Sequence, residues 1–376
     1  MKRLLVVSNG YAEDLEVAQI IRALPPGQVA VTAYPLVGLG RAYPEGVSLL
    51  DPRRELPSGG FGLRGGWSAA WSDLRSGWLG FWVRQRRTLR AQRRNADLAV
   101  AAGDVYCLWM AASAGHPTVY LALPKSQYIA PHTALELWLI RRTACQVFTR
   151  DEVTASALAA HGIPARYAGF PLMDTLVTTG ETFGLPLERP VLTLLPGSKP
   201  AAFENLMLLL RAAAKAASRG AVASILVAWA PNLSREALRA HVEASGGRWL
   251  AANRFEVDAI EATVTSEHFA DALARATVVL GMAGGAHEQA AGLGKPVIAF
   301  PGTGPQFTAR FLEEQRRLLG DALVVTPDAD AAARAAAGLL ADPVERERRG
   351  SIGRERQGGP GGAARIARFL LERMNA

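Results

Sequence analysis

The chain has 376 residues, which exceeds one ordinary hydrophobic core and suits two domains of medium size. Hydrophobic residues make up 49% and charged residues 20%, a composition that excludes an intrinsically disordered chain. The two cysteines have no metal-ligand spacing, so a disulfide framework is excluded and a reducing cytoplasm is expected. Apolar runs stay well below the ~20 residues that a membrane-spanning helix needs.

The first half of the chain alternates short apolar runs with helical patterns. The run "RLLVVSNG" predicts a strand that ends at Gly10, and "EDLEVAQIIRAL" has apolar residues at helical spacing. Further strands are predicted at "QVAVTAY", "DLAVAAG", "TVYLAL", "CQVFTR" and "ARYAGF". Strands that alternate with helices indicate a parallel sheet with crossover connections.

The positive charge, +8 in total, is concentrated beside a group of tryptophans. The segment from residue 60 to residue 95 holds the tryptophans and arginines Trp67, Trp71, Trp78, Trp82, Arg84, Arg86, Arg87, Arg90, Arg93 and Arg94. One interpretation is a tryptophan stripe in the core with a solvated arginine face. A second is a monotopic membrane anchor, because indole rings favour headgroups and cations meet anionic lipid. Nucleic acid is the least favoured partner, since no recognised binding motif accompanies the basic run.

A looser stretch at residues 175–190 predicts a linker, after which a second series of strands begins. This series is predicted at "PVLTLLPGS", "ASILVAWAP", "ATVVLGMAG", "PVIAFPG" and "ALVVTP". The sequence thus divides into two Rossmann-like halves, although neither has the G-x-G-x-x-G fingerprint of a plain dinucleotide dehydrogenase after its first strand. The closing residues 361–376 predict a helix that either completes the second domain or crosses back to the first.

Small, glycine-rich turns follow several strands, and ligands of open α/β sheets bind beyond the carboxyl ends of the strands. At "GMAGGAHEQ" a helix opens on Gly284 and Gly285, whose lack of side chains lets a ligand approach bare backbone N–H groups. This combination suits a diphosphate. Glu288 and Gln289, one turn further, are placed to bond ribose hydroxyls.

Three motifs resemble the lipid-A-disaccharide-synthase family: "LLPGSKP", "GFPLMD" and "GGAHEQAAGLGKPVIAFPG". With "SNGYAED" and "PGTGPQFT", the chain more closely resembles the proteins related to that synthase. The resemblance implies a GT-B glycosyltransferase fold of two Rossmann-like domains facing across a cleft. It assigns residues 1–175 to an acceptor domain, residues 190–360 to a nucleotide-sugar domain, and metal-independent chemistry to the enzyme.

Several residues can be matched to the family's motifs one by one. Lys199 stands where the synthase has an arginine, which keeps the charge for phosphate but loses the two-pronged geometry. Asp174 matches the aspartate of "GHPLxD", whereas Phe170 replaces its histidine. The place of the glutamate that holds ribose in relatives of the fold is taken by Gln289. The loop at Asn9 and Gly10 is assigned to the acceptor.

The expected chemistry needs groups that stabilise a leaving diphosphate and a base for the incoming hydroxyl. Asp14 and Asp104 are the candidate bases, with helix capping as the ordinary alternative for each. His287 either contacts phosphate or caps its helix. The predicted substrate-binding residues are Gly197, Ser198, Lys199, Gly284, Gly285, Ala286, His287, Glu288, Gln289, Gln306 and Arg310.

The favoured hypothesis is a metal-independent glycosyltransferase that moves a sugar from an NDP-sugar, expected to be a UDP-sugar, to a membrane lipid. The alternatives are a nucleotide-sugar 2-epimerase of the same fold and a non-catalytic nucleotide-sugar-binding protein. The expected partners are a nucleotide sugar, a lipid acceptor and an anionic membrane surface, without nucleic acid and without a cofactor. The expected location is the cytoplasm, peripheral on the inner face of the cell membrane.

Overall fold

A computed structural model describes residues 1–54, 78–304 and 307–376, with the backbone alone for residues 78–79. The chain divides into two compact units. Unit 1 is Met1–Thr175 with Pro360–Ala376, and unit 2 is Leu176–Gly359. Each unit is built on a largely parallel sheet connected through helices, which confirms the two-domain α/β fold class predicted from the sequence.

In unit 1 the strands are β1 (Lys2–Ser8), β2 (Val29–Pro35), β3 (Ser48–Leu49), β4 (Leu98–Ala102), β5 (Thr118–Ala122), β6 (Ala144–Thr149) and β7 (Ala165–Tyr167). The helices are α1 (Tyr11–Arg22), α2 (Trp78–Ala91), α3 (Val105–Ala112), α4 (Ala134–Thr143), α5 (Glu152–Ala160) and, from the end of the chain, α13 (Gly362–Asn375). Short 3₁₀ turns cover Gln92–Arg94 and Pro171–Thr175.

The sheet of unit 1 has the strand order β3-β2-β1-β4-β5-β6-β7 over the described residues, with parallel pairing throughout. Every residue of β4 and β5 is buried, as expected for strands covered on both faces. From β1 the strand order proceeds to one side through β2 and β3, and from β4 it proceeds to the other side through β5, β6 and β7. The carboxyl ends of β1 and β4 therefore form the topological switch point, where open α/β sheets bind ligands.

Helix α13 belongs to unit 1 although it closes the chain. It packs against α1 and the Pro171–Thr175 turn, and it buries Ile366 and Leu370. The terminal helix therefore crosses back from the second half of the sequence, the second of the two arrangements that its pattern allowed.

In unit 2 the strands are β8 (Val191–Leu195), β9 (Ser224–Ala228), β10 (Arg248–Ala251), β11 (Arg254–Val257), β12 (Ile260–Thr265), β13 (Val278–Gly281), β14 (Val297–Ala299) and β15 (Leu323–Val325). The helices are α6 (Ala202–Ala217), α7 (Arg235–Ala244), α8 (Phe269–Arg275), α9 (Gly285–Gly292), α10 (Ala309–Leu319), α11 (Ala329–Ala341) and α12 (Pro343–Gln357). A 3₁₀ turn covers Gly320–Ala322.

The sheet of unit 2 has the order β10-β11-β12-β9-β8-β13-β14-β15 over the described residues. Strands β10, β11 and β12 pair antiparallel and extend the parallel sheet at one edge. These three strands were not predicted from the sequence. The turn between β11 and β12 places Asp258 and Ala259 at φ 51 and 61°, a conformation usually marked by glycine or asparagine. Without those residues, the turn gives no recognisable hairpin signal.

Candidate functional site

In unit 1, polar side chains meet at the carboxyl ends of β1 and β4. The Ser8 hydroxyl donates a hydrogen bond to Asp14 Oδ1 at 2.5 Å, and the Tyr43 hydroxyl donates to Ser8 Oγ at 2.7 Å. Asn9, the residue after Ser8, donates a hydrogen bond from its Nδ2 to Asp104 Oδ1 at 3.0 Å. Both predicted bases, Asp14 and Asp104, thus belong to hydrogen-bonded networks at one edge of the sheet.

Burial makes these carboxyl groups unusually weak acids. Asp14 is 2% exposed, and its desolvation raises the pKa to about 7 despite the hydrogen bond from Ser8. Desolvation also raises the pKa of Glu13, to which the charge of Asp104 contributes. Asp104 itself has a pKa raised by burial. Unit 1 therefore holds three carboxyl groups whose pKa is raised by burial, and among them Asp14 has a pKa near neutral pH.

Asp104 also caps a helix, which was the ordinary alternative for this residue. Its Oδ1 accepts a hydrogen bond from the backbone N–H of Cys107 at 3.0 Å, at the start of α3. The capping bond fixes the carboxylate beyond the end of β4 without preventing contact with a ligand, because a carboxylate accepts up to about four hydrogen bonds.

Glu13, Ser8 and Tyr43 were not identified as site residues from the sequence. Glu13 lies directly against the loop: a Cβ added to Gly10 would come within 2.4 Å of Glu13 Oε2. Its signal was available in the motif "SNGYAED", where two acidic residues follow the glycine. Tyr43 lies 35 residues from Ser8, and no local pattern connects the two.

In unit 2, the turns that follow β8 and β13 lie side by side because the two strands are paired. Gly197 has φ +102°, and a Cβ there would approach the carbonyl oxygen of Met282 to 2.9 Å, so a glycine is required. Helix α9 follows the second turn, and its N-cap residue Gly284 supplies no side-chain cap. Backbone N–H groups at the start of α9 are suited to an anion.

Asn205, buried in α6, links these turns to a third. Its Nδ2 donates to the carbonyl oxygen of Pro196 at 3.2 Å, and its Oδ1 accepts from the backbone N–H of Thr303 at 2.9 Å. The turns after β8 and β14 are thereby fixed relative to each other. Asn205 lies inside a helix, where nothing in the sequence distinguishes it from an ordinary polar residue.

The structure gives His287 a role different from the predicted phosphate contact. Its ring is completely buried, and its Nε2 accepts from the backbone N–H of Ala283 at 3.3 Å. Its Nδ1 donates to Gln315 Oε1 at 3.0 Å, while Gln315 Nε2 donates to the carbonyl oxygen of Gly284 at 3.2 Å. Burial lowers the pKa of His287 to about 4. Through these hydrogen bonds the neutral imidazole holds the turn before α9 in place.

The remaining predicted binding residues of unit 2 have different environments. Ser198 and Lys199 are exposed, and Gly285 and Ala286 form the accessible start of α9. Glu288 is half-buried and Gln289 is buried in the same helix. Arg310 has no described contact with these turns. Its side chain is 89% exposed and forms a salt bridge with Glu314 at 3.2 Å. Gln306 lies outside the described residues.

A cavity of about 460 Å³ lies at the carboxyl end of β12, on the same edge of the sheet as these turns. Thr265 and Ser266 line it from the strand end, and Arg235 and Glu267 add charged groups. The Ser266 hydroxyl is buried without a hydrogen-bond partner. The volume lies in the range of pockets for small ligands, which is about 300–1,000 Å³.

Only part of the tryptophan and arginine segment lies in the described residues. Trp82 stacks on Trp109 with ring centroids 6.0 Å apart, and the Arg86 guanidinium lies 4.6 Å from the Trp109 ring centroid. Trp82 is therefore half-buried and packs against the core of unit 1. Arg84 and Arg87 are exposed on α2. Trp67 and Trp71 lie outside the described residues, as does the side chain of Trp78. No helix in the described ranges is long and apolar enough to cross a membrane.

Asp174, matched to the synthase motif, holds the C-terminal helix. Its carboxylate accepts hydrogen bonds from the backbone N–H groups of Gly361 and Ala363, the latter at 2.8 Å. Phe170, in place of the motif's histidine, is buried, and the Arg150 guanidinium lies 4.8 Å from the centroid of its ring. Both residues have structural roles within unit 1.

No family model matches the chain, and no curated protein matches it. Solved structures do match, over nearly the whole length. A UDP-GlcNAc 2-epimerase from Neisseria meningitidis, solved with UDP-GlcNAc, shares 15% identity at TM-score 0.58, covering 100% of both chains. A UDP-GlcNAc 2-epimerase from Methanocaldococcus jannaschii shares 14% identity at TM-score 0.56, covering 99% of this chain and 100% of the other. The calicheamicin glycosyltransferase CalG4 shares 17% identity at TM-score 0.62, covering 100% and 98%.

At these identities the matches establish the fold alone, which is the two-domain GT-B fold. They show no relationship to lipid-A-disaccharide synthase in particular. Structures named as UDP-GlcNAc 2-epimerases recur among them, which favours the epimerase alternative. The prediction of a glycosyltransferase acting on a membrane lipid is therefore wrong.

Proposed function

We propose that this protein is an enzyme that acts on a nucleotide sugar, and that it inverts the configuration at C2 of the sugar. The observation that carries this proposal is a group of three carboxyls with raised pKa in unit 1: the buried Asp14 and the half-buried Glu13 and Asp104. Several acid–base groups around one sugar are what an epimerase needs, whereas a simple binding protein has no use for carboxyl groups of raised pKa.

Inversion at C2 requires a proton to leave one face of the sugar and another to arrive at the opposite face. The C2–H bond has no neighbouring carbonyl to stabilise a carbanion. Its electron pair can form a C1=C2 double bond if the bond from C1 to the diphosphate oxygen breaks at the same time. Return of the diphosphate to C1 and of a proton to the other face of C2 gives the epimer. Substrate and product are isomers, so no co-substrate is consumed.

The carboxyl groups supply the base and the acid for these steps. A general acid or base is most effective when its pKa lies near the working pH, and burial brings Asp14 to about 7. Ser8 holds Asp14 in place by one hydrogen bond, and Asn9 holds Asp104 by another. One ionised carboxylate removes the proton, and one protonated carboxyl group returns it.

Unit 2 supplies the binding groups for the nucleoside diphosphate. The start of α9 at Gly284, Gly285 and Ala286 and the turn at Gly197 offer backbone donors, and the exposed Lys199 adds a positive charge. The cavity at the end of β12 is our candidate for the nucleoside. It lies three strand spacings from β13, about 14 Å, a span that a nucleotide can bridge. That epimerases and other enzymes of this fold are solved with UDP or UDP-GlcNAc supports uridine as the base.

The test follows the proton at C2. The protein is incubated with UDP-GlcNAc in D₂O, and the sugar is analysed by proton NMR for deuterium at C2 and for the C2 epimer. We expect both, and we expect Asp14→Asn or Asp104→Asn to slow the reaction by roughly 10²–10⁴. Asp97→Asn, which changes a carboxylate paired with Arg3 on the surface, is the matched control and keeps full activity.

Other UDP-sugars, including UDP-glucose, are tested in the same way to define the sugar. Free UDP appearing from every active substrate without deuterium at C2 would overturn the epimerase proposal in favour of sugar transfer or hydrolysis. Absence of any binding or turnover across the panel would overturn the assignment to nucleotide sugars as a whole.

A further inference from the structure

Helix α4 presents large apolar side chains to solvent. Leu135 is 74% exposed and Trp138 is 58% exposed, although tryptophan is among the costliest side chains to leave in water. Exposed apolar residues that occur singly need no explanation, but two on one turn of a helix indicate a surface that meets another phase or molecule.

The exposed side chains lie on one face of α4. Leu135 and Trp138 are three residues apart and Arg142 follows four residues later, the spacing at which helical side chains are neighbours. The opposite side is anchored in unit 1, where Ile140 is completely buried and Leu137 packs on the core. The helix therefore cannot rotate to hide its apolar face without leaving the core.

Exposed positive charges lie at the end of this helix. Arg141 and Arg142, in the last turn, are both exposed, and Arg141 donates to the carbonyl oxygen of His161. The acidic residue of α4, Glu136, is turned to the capping box at Thr133 and bonds Lys125 at 2.6 Å. Its charge is thus paired with that of Lys125, and the face offers apolar groups with the exposed Arg141 and Arg142 beside them.

The neighbouring helices extend the positive charge. Helix α4 packs on α3, and α3 packs on α2, which carries exposed Arg84, Arg87 and Arg90. An amphipathic helix with tryptophan on one face and arginines beside it is suited to the boundary between headgroups and acyl chains. Cations near such a boundary are attracted by anionic lipid.

We propose that the α4 face, defined by Leu135, Trp138 and Arg142, docks unit 1 on an anionic lipid surface. The indole enters the headgroup region, the leucine reaches the acyl chains, and the arginines contact anionic headgroups. The contact is peripheral and reversible. It is independent of the reaction proposed above. It shares the exposed arginines of α2 with the segment at residues 60–95 that the sequence suggested, but its apolar contact is made by Leu135 and Trp138.

The experiment measures co-sedimentation of the full-length protein with vesicles. One set contains phosphatidylcholine alone, and the other contains equal amounts of phosphatidylcholine and phosphatidylglycerol. We expect binding to the anionic set, weakened by salt because the charges are exposed. Replacing Leu135 and Trp138 together with serine is expected to reduce the affinity at least tenfold, and Arg142→Ala about fivefold.

The matched control replaces Leu187 and Val222 with serine, since these side chains of unit 2 are 70% and 65% exposed without belonging to the α4 face. Its vesicle affinity and that of the parent should agree. All variants should melt at the parent's temperature, because exposed side chains stabilise no core. Lack of parental binding to anionic vesicles overturns the proposal. So does a parent that is dimeric in solution and becomes monomeric in the Leu135/Trp138 variant, since the face would then join two copies of the chain.

Discussion

At the scale of single residues, burial determines what the titratable groups of this protein can do. Asp14 and His287 are both almost completely shielded from water, and burial favours the neutral form of each. The pKa of Asp14 therefore rises, and that of His287 falls. Their consequences differ: the carboxyl group becomes able to exchange a proton near neutral pH, while the imidazole stays neutral and serves as a fixed hydrogen-bonding support.

The raised pKa of Asp14 predicts a specific pH dependence of stability. Well below pH 3.8, Asp14 is protonated in both the folded and the unfolded protein. Between pH 3.8 and about 7, Asp14 is ionised in the unfolded chain but still protonated in the folded protein. Stability is then lost as the pH rises through this window, by on the order of 4 kcal/mol at 1.36 kcal/mol per pKa unit. Asp14→Asn does not titrate. Its free energy of unfolding relative to the parent should therefore increase by a few kcal/mol between pH 4 and pH 8.

Urea denaturation of both proteins at several pH values measures this difference. The titration of His287 has the opposite sign, because its stabilising effect is lost as the pH falls from 6.5 towards 4. It is common to both proteins and cancels in the difference. A difference that stays constant with pH would show that Asp14 has an ordinary pKa, and it would remove the main argument for its acid–base role.

At the scale of elements, loops and helix ends position the site, and Asp174 shows how a motif residue can do so indirectly. Its carboxylate satisfies backbone N–H groups at the start of α13, whose first residues lie very close to the loop after β7. A Cβ added to Gly362 would approach the carbonyl carbon of Gly169 to 2.7 Å. The aspartate and the glycines of "GFPLMD" and "GPGGAA" thus form one helix-docking joint.

We expect Asp174→Ala to destabilise unit 1 by about 1–2 kcal/mol, because two buried donors at the start of α13 lose their acceptor. Asp174→Asn keeps one acceptor oxygen and should lose roughly half as much. Thermal unfolding of the two variants and the parent measures these differences. Equal stability of all three proteins would mean that water replaces the carboxylate without cost, and the joint would then depend on glycine packing alone.

At the scale of the whole molecule, the chain leaves unit 1 after Thr175 and returns to it at Pro360. The returning helix contributes to the core of unit 1: Ile366 and Leu370 are buried, and the ring of Phe369 packs edge-on against Phe148 at 5.2 Å. Arg166 lies over the Phe369 ring at 4.3 Å. Unit 1 is thus completed only by Pro360–Ala376, which follow all of unit 2 in the sequence.

Truncation after Gly359 should therefore destabilise unit 1 selectively. Burial of Ile366 and Leu370 alone contributes roughly 4 kcal/mol at about 2 kcal/mol for each side chain. In native-state hydrogen exchange, the amides of β1 and β6 should lose protection by that order, whereas those of β8 and β13 in unit 2 should keep theirs. Equal losses in both units would show that the two unfold as one cooperative body.

The sequence by itself determined the alternation of strands and helices, the division into two Rossmann-like halves and the glycine turns at the strand ends. These features depend on local periodicity and on backbone conformations that few residues adopt, and both can be read over short distances along the chain. It also pointed to Asp14 and Asp104 through their place after predicted strands. Only the tertiary structure decided the charge state of Asp14 beside Glu13 and the supporting role of His287. It likewise decided that Trp82 is packed while Trp138 is exposed. Each of these depends on residues distant in sequence, such as Tyr43, Gln315 and Trp109, because desolvation is set by everything that packs around a side chain.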